Sequence, residues 1–346
     1  MSVHSDTYFM QMALDRAAEA WGSTAPNPMV GAVIVRGENV LATGYHHKAG
    51  EAHAEADALN NAAKSAVDVR GATIYVTLEP CSTTGRTPAC TDAIIRSGLK
   101  RVVIGCLDPN PKHAGRGVDI LRNAGIEVAV GVCEDQCIEL NAPFFTWITT
   151  GKPLVMLKMA STLDGKTATY TGDSFWITGT EARSRVQKLR RLSGAIMVGA
   201  NTVRRDHPRL NVREPENWQK QPLRLIASNS MTKEELDSFF PDGNAEIVRV
   251  NTPEEWNDLL EDLGRKNITA LLIEGGGNLA ASALKANVVD YVEFHIAPRI
   301  LGGAGSHTSV DGSDPQKMCE ALDLEHVKTT VYGRDIVVSG YLKRSW

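Results

Sequence analysis

The sequence predicts an α/β protein of two domains, and three observations carry that reading. Apolar runs of strand length alternate with amphipathic stretches of helical length along most of the chain, the pattern of sheets covered by helices. The alternation breaks once, across residues 147–153, and a fresh apolar strand starts a second series at 154–159. At 346 residues the chain also exceeds what one typical core organises. The expected domains are therefore 1–150 and 151–346.

Each element has a local signal. After Asp6, a plausible cap, Tyr8, Met12, Ala13 and Ala17 recur at helical spacing and predict an opening amphipathic helix. Residues 30–35 and 40–44 flank the polar turn 36–39 and read as a hairpin. An Ala-rich helix over 52–64, a strand over 73–78, a Gly/Pro/Thr loop and a helix over 91–97 follow. A buried-type strand (101–106), a helix (118–124) and another strand (127–130) complete a first α/β sandwich. In the second series, strands at 194–199, 223–227, 246–250, 269–273 and 291–296 alternate with helical stretches. No internal repeat or low-complexity tract interrupts either series.

Composition narrows the function classes. With 42% hydrophobic and 23% charged residues, the chain has the mix of a folded globular protein. Its net charge of −4, from 37 basic and 41 acidic residues with no basic block, argues against nucleic acid as a partner. Residues 1–21 mix Asp6, Asp15, Arg16 and Glu19 with apolar residues, which is not the core of a signal peptide. No apolar run is long enough to span a bilayer, so no membrane association and a cytoplasmic location are expected. Six cysteines are too sparse for a disulfide scaffold and leave some available to hold metal.

The first chemical constellation is His53-Ala54-Glu55 at a helix start, Pro80-Cys81 at a strand end, and Cys90 before the next helix. One imidazole and two thiolates fill three corners of a zinc tetrahedron and leave the fourth for water, the arrangement of a catalytic site. Two positions apart in mid-helix would face nearly opposite ways, so His53 must lie at the helix start for Glu55 to reach the same pocket. Glu55 is then the proton shuttle between water, a ring nitrogen and a leaving amine. H-x-E followed by P-C and a second Cys is the zinc deaminase signature, although eight residues separate the cysteines here instead of two. A core histidine and buried thiols would account for any one of these residues alone, but not for the set. Cys106, Cys133, Cys137 and Cys319 lack a nearby histidine and read as packing residues or stay unassigned.

The second is Glu274-Gly275-Gly276-Gly277-Asn278, which follows a strand and opens a helix near Leu279. Unhindered amides at a helix N-terminus can cradle a phosphate, though such a turn is often only a connection.

The spacer from Thr77 through Pro80-Cys81 and Thr83 to Cys90 closely resembles the bifunctional riboflavin deaminase/reductase family. The likeness extends through 26–31, the His53 segment, 108–111 and 115–117, and in the second half through 157–159, 163–166, 174–178, 198–203 and 297–302. It implies a cytidine-deaminase-like α/β/α sandwich followed by a dihydrofolate-reductase-like α/β domain, with no separate Rossmann fold. It implies Zn2+ held by His53, Cys81 and Cys90, catalysis by Glu55, and a substrate contact at Asn27. Carried over position by position, NADPH contacts fall on Ala160, Trp176, Thr202, Asp206, Gly276, Gly277 and Asn278. Substrate contacts fall on Lys158, Ser174, Arg190, Leu210, Arg213 and Glu274, the arginines suiting a phosphate monoester.

Three positions depart from the family pattern: Thr83 stands where His is usual, and His207 and Ser228 stand where Asp is usual. The expected function is hydrolytic deamination of a pyrimidine ribosyl phosphate followed by NADPH-dependent reduction of its ribosyl group to ribityl, in a homo-oligomer. The alternatives are a deaminase whose second domain has lost catalysis and a nucleic-acid base deaminase.

Overall fold

The structure, a computed structural model, describes residues 5–83, 88–110, 113–312 and 315–342. Residues 84–87 of the cysteine spacer and Pro111 of the 108–111 block lie outside the described residues. The chain divides into two compact units, Met1–Thr149 and Thr150–Ser345.

In the first unit the elements run α1 (Asp6–Ala18), β1 (Gly31–Arg36), β2 (Asn39–Tyr45), α2 (Ala54–Lys64), β3 (Thr73–Leu78), α3 (Cys90–Ser97), β4 (Arg101–Cys106), α4 (Arg116–Asn123), β5 (Glu127–Val130), α5 (Glu134–Leu140) and α6 (Ala142–Thr150). The five strands lie in the order β2-β1-β3-β4-β5, with β1 antiparallel to both neighbours and β3, β4 and β5 parallel. Alternation along the strands separates two cores, because successive side chains leave opposite faces of a sheet. Ala32, Ile34, Ile74 and Ile104 pack with Ala54 and Ala58 of α2, Ile94 of α3 and Leu121 of α4. Val33, Val35, Tyr75 and Val103 pack with Phe9 and Leu14 of α1, Cys137 of α5 and Phe145 of α6. The unit is therefore an α/β/α sandwich.

Small residues set how closely α2 lies on β2. A Cβ at Gly44 would sit 2.3 Å from the backbone nitrogen of Ala58, so only glycine permits that approach. Tyr45 N donates to the Asp57 carboxylate at 3.1 Å and Asn61 Nδ2 to the Thr43 carbonyl at 3.0 Å, which fixes the helix in register. The start of α2 is thereby anchored where His53 and Glu55 project.

The second unit runs β6 (Leu154–Thr162), β7 (Lys166–Ala168), α7 (Thr180–Leu192), β8 (Ala195–Gly199), α8 (Ala200–Asp206), β9 (Leu223–Ala227), α9 (Lys233–Phe239), β10 (Ala245–Val248), α10 (Pro253–Arg265), β11 (Ala270–Glu274), α11 (Gly277–Lys285), β12 (Tyr291–Ala297), β13 (His307–Thr308), β14 (Glu325–Tyr332) and β15 (Asp335–Tyr341). Its main sheet has eight strands in the order β10-β9-β8-β11-β6-β12-β15-β14, parallel from β10 to β12 and antiparallel beyond. Val155, Leu157, Leu271 and Ile273 bury one face under Trp256 and Leu260 of α10 and Ala280 and Ala283 of α11. α7 covers the opposite face, where Arg185 and Arg190 meet Glu293 and Glu274. Among the described residues, no helix is long and apolar enough to cross a membrane.

Candidate functional site

In the first unit His53 is the residue before α2, with extended backbone (φ −73°, ψ 163°), and Glu55 lies in the first helical turn. The change of backbone conformation between them lets both side chains reach one pocket. Cys81 follows the end of β3, and Cys90 is the first residue of α3. His53 Nδ1 stands 3.5 Å from Cys81 Sγ and 3.4 Å from Cys90 Sγ. All three ligand atoms lie within 4.8 Å of one another. Ordinary Zn–N and Zn–S bonds at a tetrahedral angle would place nitrogen and sulfur about 3.6 Å apart. The donor set and its spacing therefore fit zinc.

Burial pushes the Glu55 carboxyl up to about 7, with the charge of Cys81 adding to the shift. A hydrogen bond from Cys90 holds the Cys81 thiol well below the usual thiol range, with His53 adding to the shift. Asn27 Nδ2 stands 3.1 Å from His46 Nε2, and His46 Nδ1 donates to the Ala52 carbonyl at 2.9 Å. With Nδ1 committed as a donor, neutral His46 accepts from Asn27, and burial favours that neutral form. The His46 ring is set edge-on to His53 at 5.3 Å.

Sequence reasoning missed His46 and also Glu79. The buried Glu79 carboxylate accepts from the amides of Asp108 (3.2 Å), Gly115 (3.0 Å) and Gly117 (2.8 Å), tying the loop before α4 to the Pro80-Cys81 turn. The only early signal was its place beside Pro80. Thr83, one of the departures, is exposed.

The second unit holds a cleft of about 850 Å³ at the carboxyl ends of its parallel strands, where ligands bind in open α/β sheets. Lys158, Ala160, Ser174, Thr202, Asp206, Glu274, Gly276, Gly277 and Asn278 all line it. Gly275 and Gly276 have φ of 83° and 86°, a backbone that a side chain would strain, and the turn delivers the amide end of α11 to the cleft. These features fit a dinucleotide phosphate. Arg205 and Arg249, which sequence reasoning did not single out, line the same cleft.

Trp176, Arg190, Leu210 and Arg213 are not among the lining residues. Trp176 is 60% exposed, which rules out its being plain core, and the Arg183 guanidinium lies 4.6 Å over its ring. Arg190 is buried and not a solvated surface charge. It donates to Glu274 at 2.6 and 2.8 Å and to the Asn211 carbonyl at 3.0 Å. Leu210 is buried, and Arg213 donates to Asn211 Oδ1 at 3.1 Å. Ser228 lines the cleft and uses its Oγ to accept from the amides of Ser230 and Met231 at 3.1 and 2.9 Å. His207 closes α8 with φ 44°.

Comparison with known proteins adds the following. Residues 3–106 match the cytidine and deoxycytidylate deaminase zinc-binding region, and residues 153–338 match the RibD C-terminal domain. The riboflavin biosynthesis protein RibD of Aquifex aeolicus is 43% identical, over 96% of this chain and 97% of the relative. That of Actinobacillus pleuropneumoniae is 40% identical, over 96% and 94%. Among solved structures, RibD of Acinetobacter baumannii superposes with a TM-score of 0.83 at 38% identity, covering 97% of this chain and 98% of that one. A diaminohydroxyphosphoribosylaminopyrimidine deaminase/5-amino-6-(5-phosphoribosylamino)uracil reductase of Thermotoga maritima gives a TM-score of 0.85 at 35% identity with the same coverage.

Proposed function

Because the chain belongs to the RibD family of riboflavin-biosynthesis enzymes, we propose that its two halves divide two consecutive steps, residues 1–150 deaminating and residues 151–346 reducing. The protein is a bifunctional deaminase/reductase that uses Zn2+ and NADPH. It hydrolyses the 2-amino group of the diaminopyrimidinone ribosyl phosphate and reduces the ribosyl group, giving 5-amino-6-(5-phosphoribitylamino)uracil. The observation that carries the assignment is that a relative of this name aligns over 96% of the chain, with the His-Cys-Cys triangle in one half and the glycine-turn cleft in the other.

In the first half, His53, Cys81 and Cys90 would hold the metal, which when bound supplies a water acidic enough to serve as nucleophile near neutral pH. Glu55 takes the proton of that water and delivers it to the ring nitrogen and then to the leaving amine. Asn27, oriented through His46, contacts the pyrimidine.

In the second half, Thr202, Asp206, Ala160 and the turn from Gly276 to Asn278 would hold NADPH, with the exposed Trp176 a further contact to it. NADPH supplies the hydride. Ser174, Lys158, Glu274, Leu210, Arg190 and Arg213 take the substrate, Arg213 reaching for its phosphate while Arg190 keeps Glu274 in place. Lys158 supplies a proton to the sugar.

We further propose a cytoplasmic homo-oligomer. β14 is the last strand of its sheet and is exposed almost throughout, including Val327 at 55% and Val331 at 66%. A second copy would cover this edge and its apolar side chains.

Purified protein given substrate and NADPH should release ammonia and oxidise the cofactor in equal amounts, with the ribityl product identified by mass. Ammonia release with the ribosyl intermediate accumulating unreduced would sink the two-step reading.

A further inference from the structure

Across the sheet of the second unit, Lys158 of β6 is the register partner of both Glu274 on β11 and Glu293 on β12. Aligned residues of neighbouring strands project from the same face, so Lys158 shares its face with one carboxylate on each flanking strand, and the charges of both act on it. α7 covers that face and gives each carboxylate an arginine. Arg190 serves Glu274, and Arg185 Nε and Nη2 donate to Glu293 at 3.1 and 2.8 Å.

Glu293 also accepts from the Tyr291 hydroxyl at 3.2 Å and from His295 Nε2 at 2.8 Å. It is 1% exposed and does not line the cleft, whereas Lys158 and Glu274 do. Four donated hydrogen bonds make it a fixed, ionised charge set behind the site. Burial favours ionisation of neither partner, yet His295 and Arg185 hold the Glu293 carboxyl at about 2. Burial likewise pushes Lys158 down, and only Glu274 and Glu293 pull it back up.

We propose that Glu293 is a positioning residue for the reduction, holding the Lys158 ammonium in line with Glu274 so that its Nζ faces the cleft as the proton donor to the sugar ring oxygen. The proposal rests on the reading of the second unit as the reductase. In the step, the C1′–O4′ bond breaks while the amino nitrogen's lone pair forms a C1′=N bond, and O4′ takes the proton from Lys158. C1′ then accepts hydride, which neutralises the iminium as NADPH becomes NADP+, and water reprotonates the lysine.

The charged and titratable groups facing Lys158 are Glu274 from β11, Glu293 and His295 from β12, and Arg185 and Arg190 from α7. Arg213 acts on it indirectly, through Glu274. His295 is kept neutral by burial. Glu293 therefore supplies one of the two negative charges in the layer, and its removal must lower the pH up to which Lys158 keeps its proton.

The test uses the full chain with Glu293→Gln. Acetic anhydride labelling of Lys158 across pH, read by peptide mass spectrometry without cofactor, should show its midpoint fall by about one pH unit or more. The alkaline limb of kcat for reduction should move down with it, with roughly a tenfold loss above that limb, while NADPH affinity and the deamination rate stay within about twofold. Glu293→Asp, which keeps the charge, should return the labelling midpoint towards the native value. In a Lys158→Met background, Glu293→Gln should add no further loss.

An unmoved midpoint overturns the proposal, and so does an additional loss on top of Lys158→Met, since that marks a merely structural role. Reduction at near-native rate by Lys158→Met overturns it through the proton donor. A native chain that neither binds NADPH nor reduces substrate removes the underlying reading instead, a result distinguishable from all of these.

Discussion

At Glu55 the environment matters more than the residue type, because a carboxylate fully withdrawn from water and set beside thiols resists ionisation and so can both take and give a proton near neutral pH. Glu55→Gln keeps the shape of the side chain and removes that exchange. Deamination should fall by roughly 10²–10⁴-fold with one zinc still bound per chain, read by atomic absorption beside ammonia release. Near-native deamination with full metal would show that another group moves the proton. The residues of this pocket were legible in the sequence because they come in a compact pattern, H-x-E and two cysteines, whose chemistry allows few uses. Residues that act through a distant partner were not legible. Arg185 and Glu293 lie 108 positions apart, and Glu79 meets Gly117 across 38. Nothing in either neighbourhood announces the pairing, and only the sheet register and the loop path create it.

At the level of elements, the glycine turn between β11 and α11 shows how a weak sequence signal gains meaning from its setting. The turn has positive φ at two successive residues and lies on the cleft wall beside Thr202, so no side chain of Gly275 or Gly276 stands between its backbone and the cleft. Gly276→Val should raise the Michaelis constant for NADPH by roughly tenfold or more, since a β-branched residue strains that backbone and crowds the approach. Fluorescence titration with NADPH, beside an unchanged deamination rate, separates this local defect from misfolding. Unchanged NADPH affinity would place the phosphate elsewhere. Parallel strands were easy to read because both of their faces are buried and their sequences are continuously apolar. β14 and β15 escaped notice for the opposite reason: the sequence of β14, with its side chains in water, carries charged and polar residues that hide the alternation. α6 escaped because Phe144, Phe145, Thr146, Trp147 and Ile148 are aromatic or β-branched, types that packing rather than propensity makes helical. Its last residues looked like a break between domains.

For the whole molecule, two separate cores mean that damage to one unit need not reach the other. Cys90→Ala should release zinc and abolish deamination while reduction of the deaminated intermediate continues, and equal loss of both activities in folded protein would argue against independent units. The proposed association of copies uses a surface of the second unit alone. β14 is the terminal strand of the eight-stranded sheet among the described residues, and its Val327 and Val331 are exposed. Charged residues commonly protect such an edge, as Glu325 and Lys328 do in the first half of β14, whereas the exposed Val331 leaves its second half apolar. Covering the strand with its counterpart in a second copy would bury both valines twice over through a two-fold axis, whereas lysine in their place would set like charges against each other there. Val331→Lys is therefore expected to shift the mass measured by light scattering towards a single chain of 37.5 kDa, with the far-ultraviolet circular dichroism unchanged. Because neither the zinc triad nor the glycine-turn cleft includes a residue of β14, both activities per chain should survive dilution of the variant. A native protein that already sediments as one chain, or a variant whose mass does not change, would remove this edge as the contact between copies.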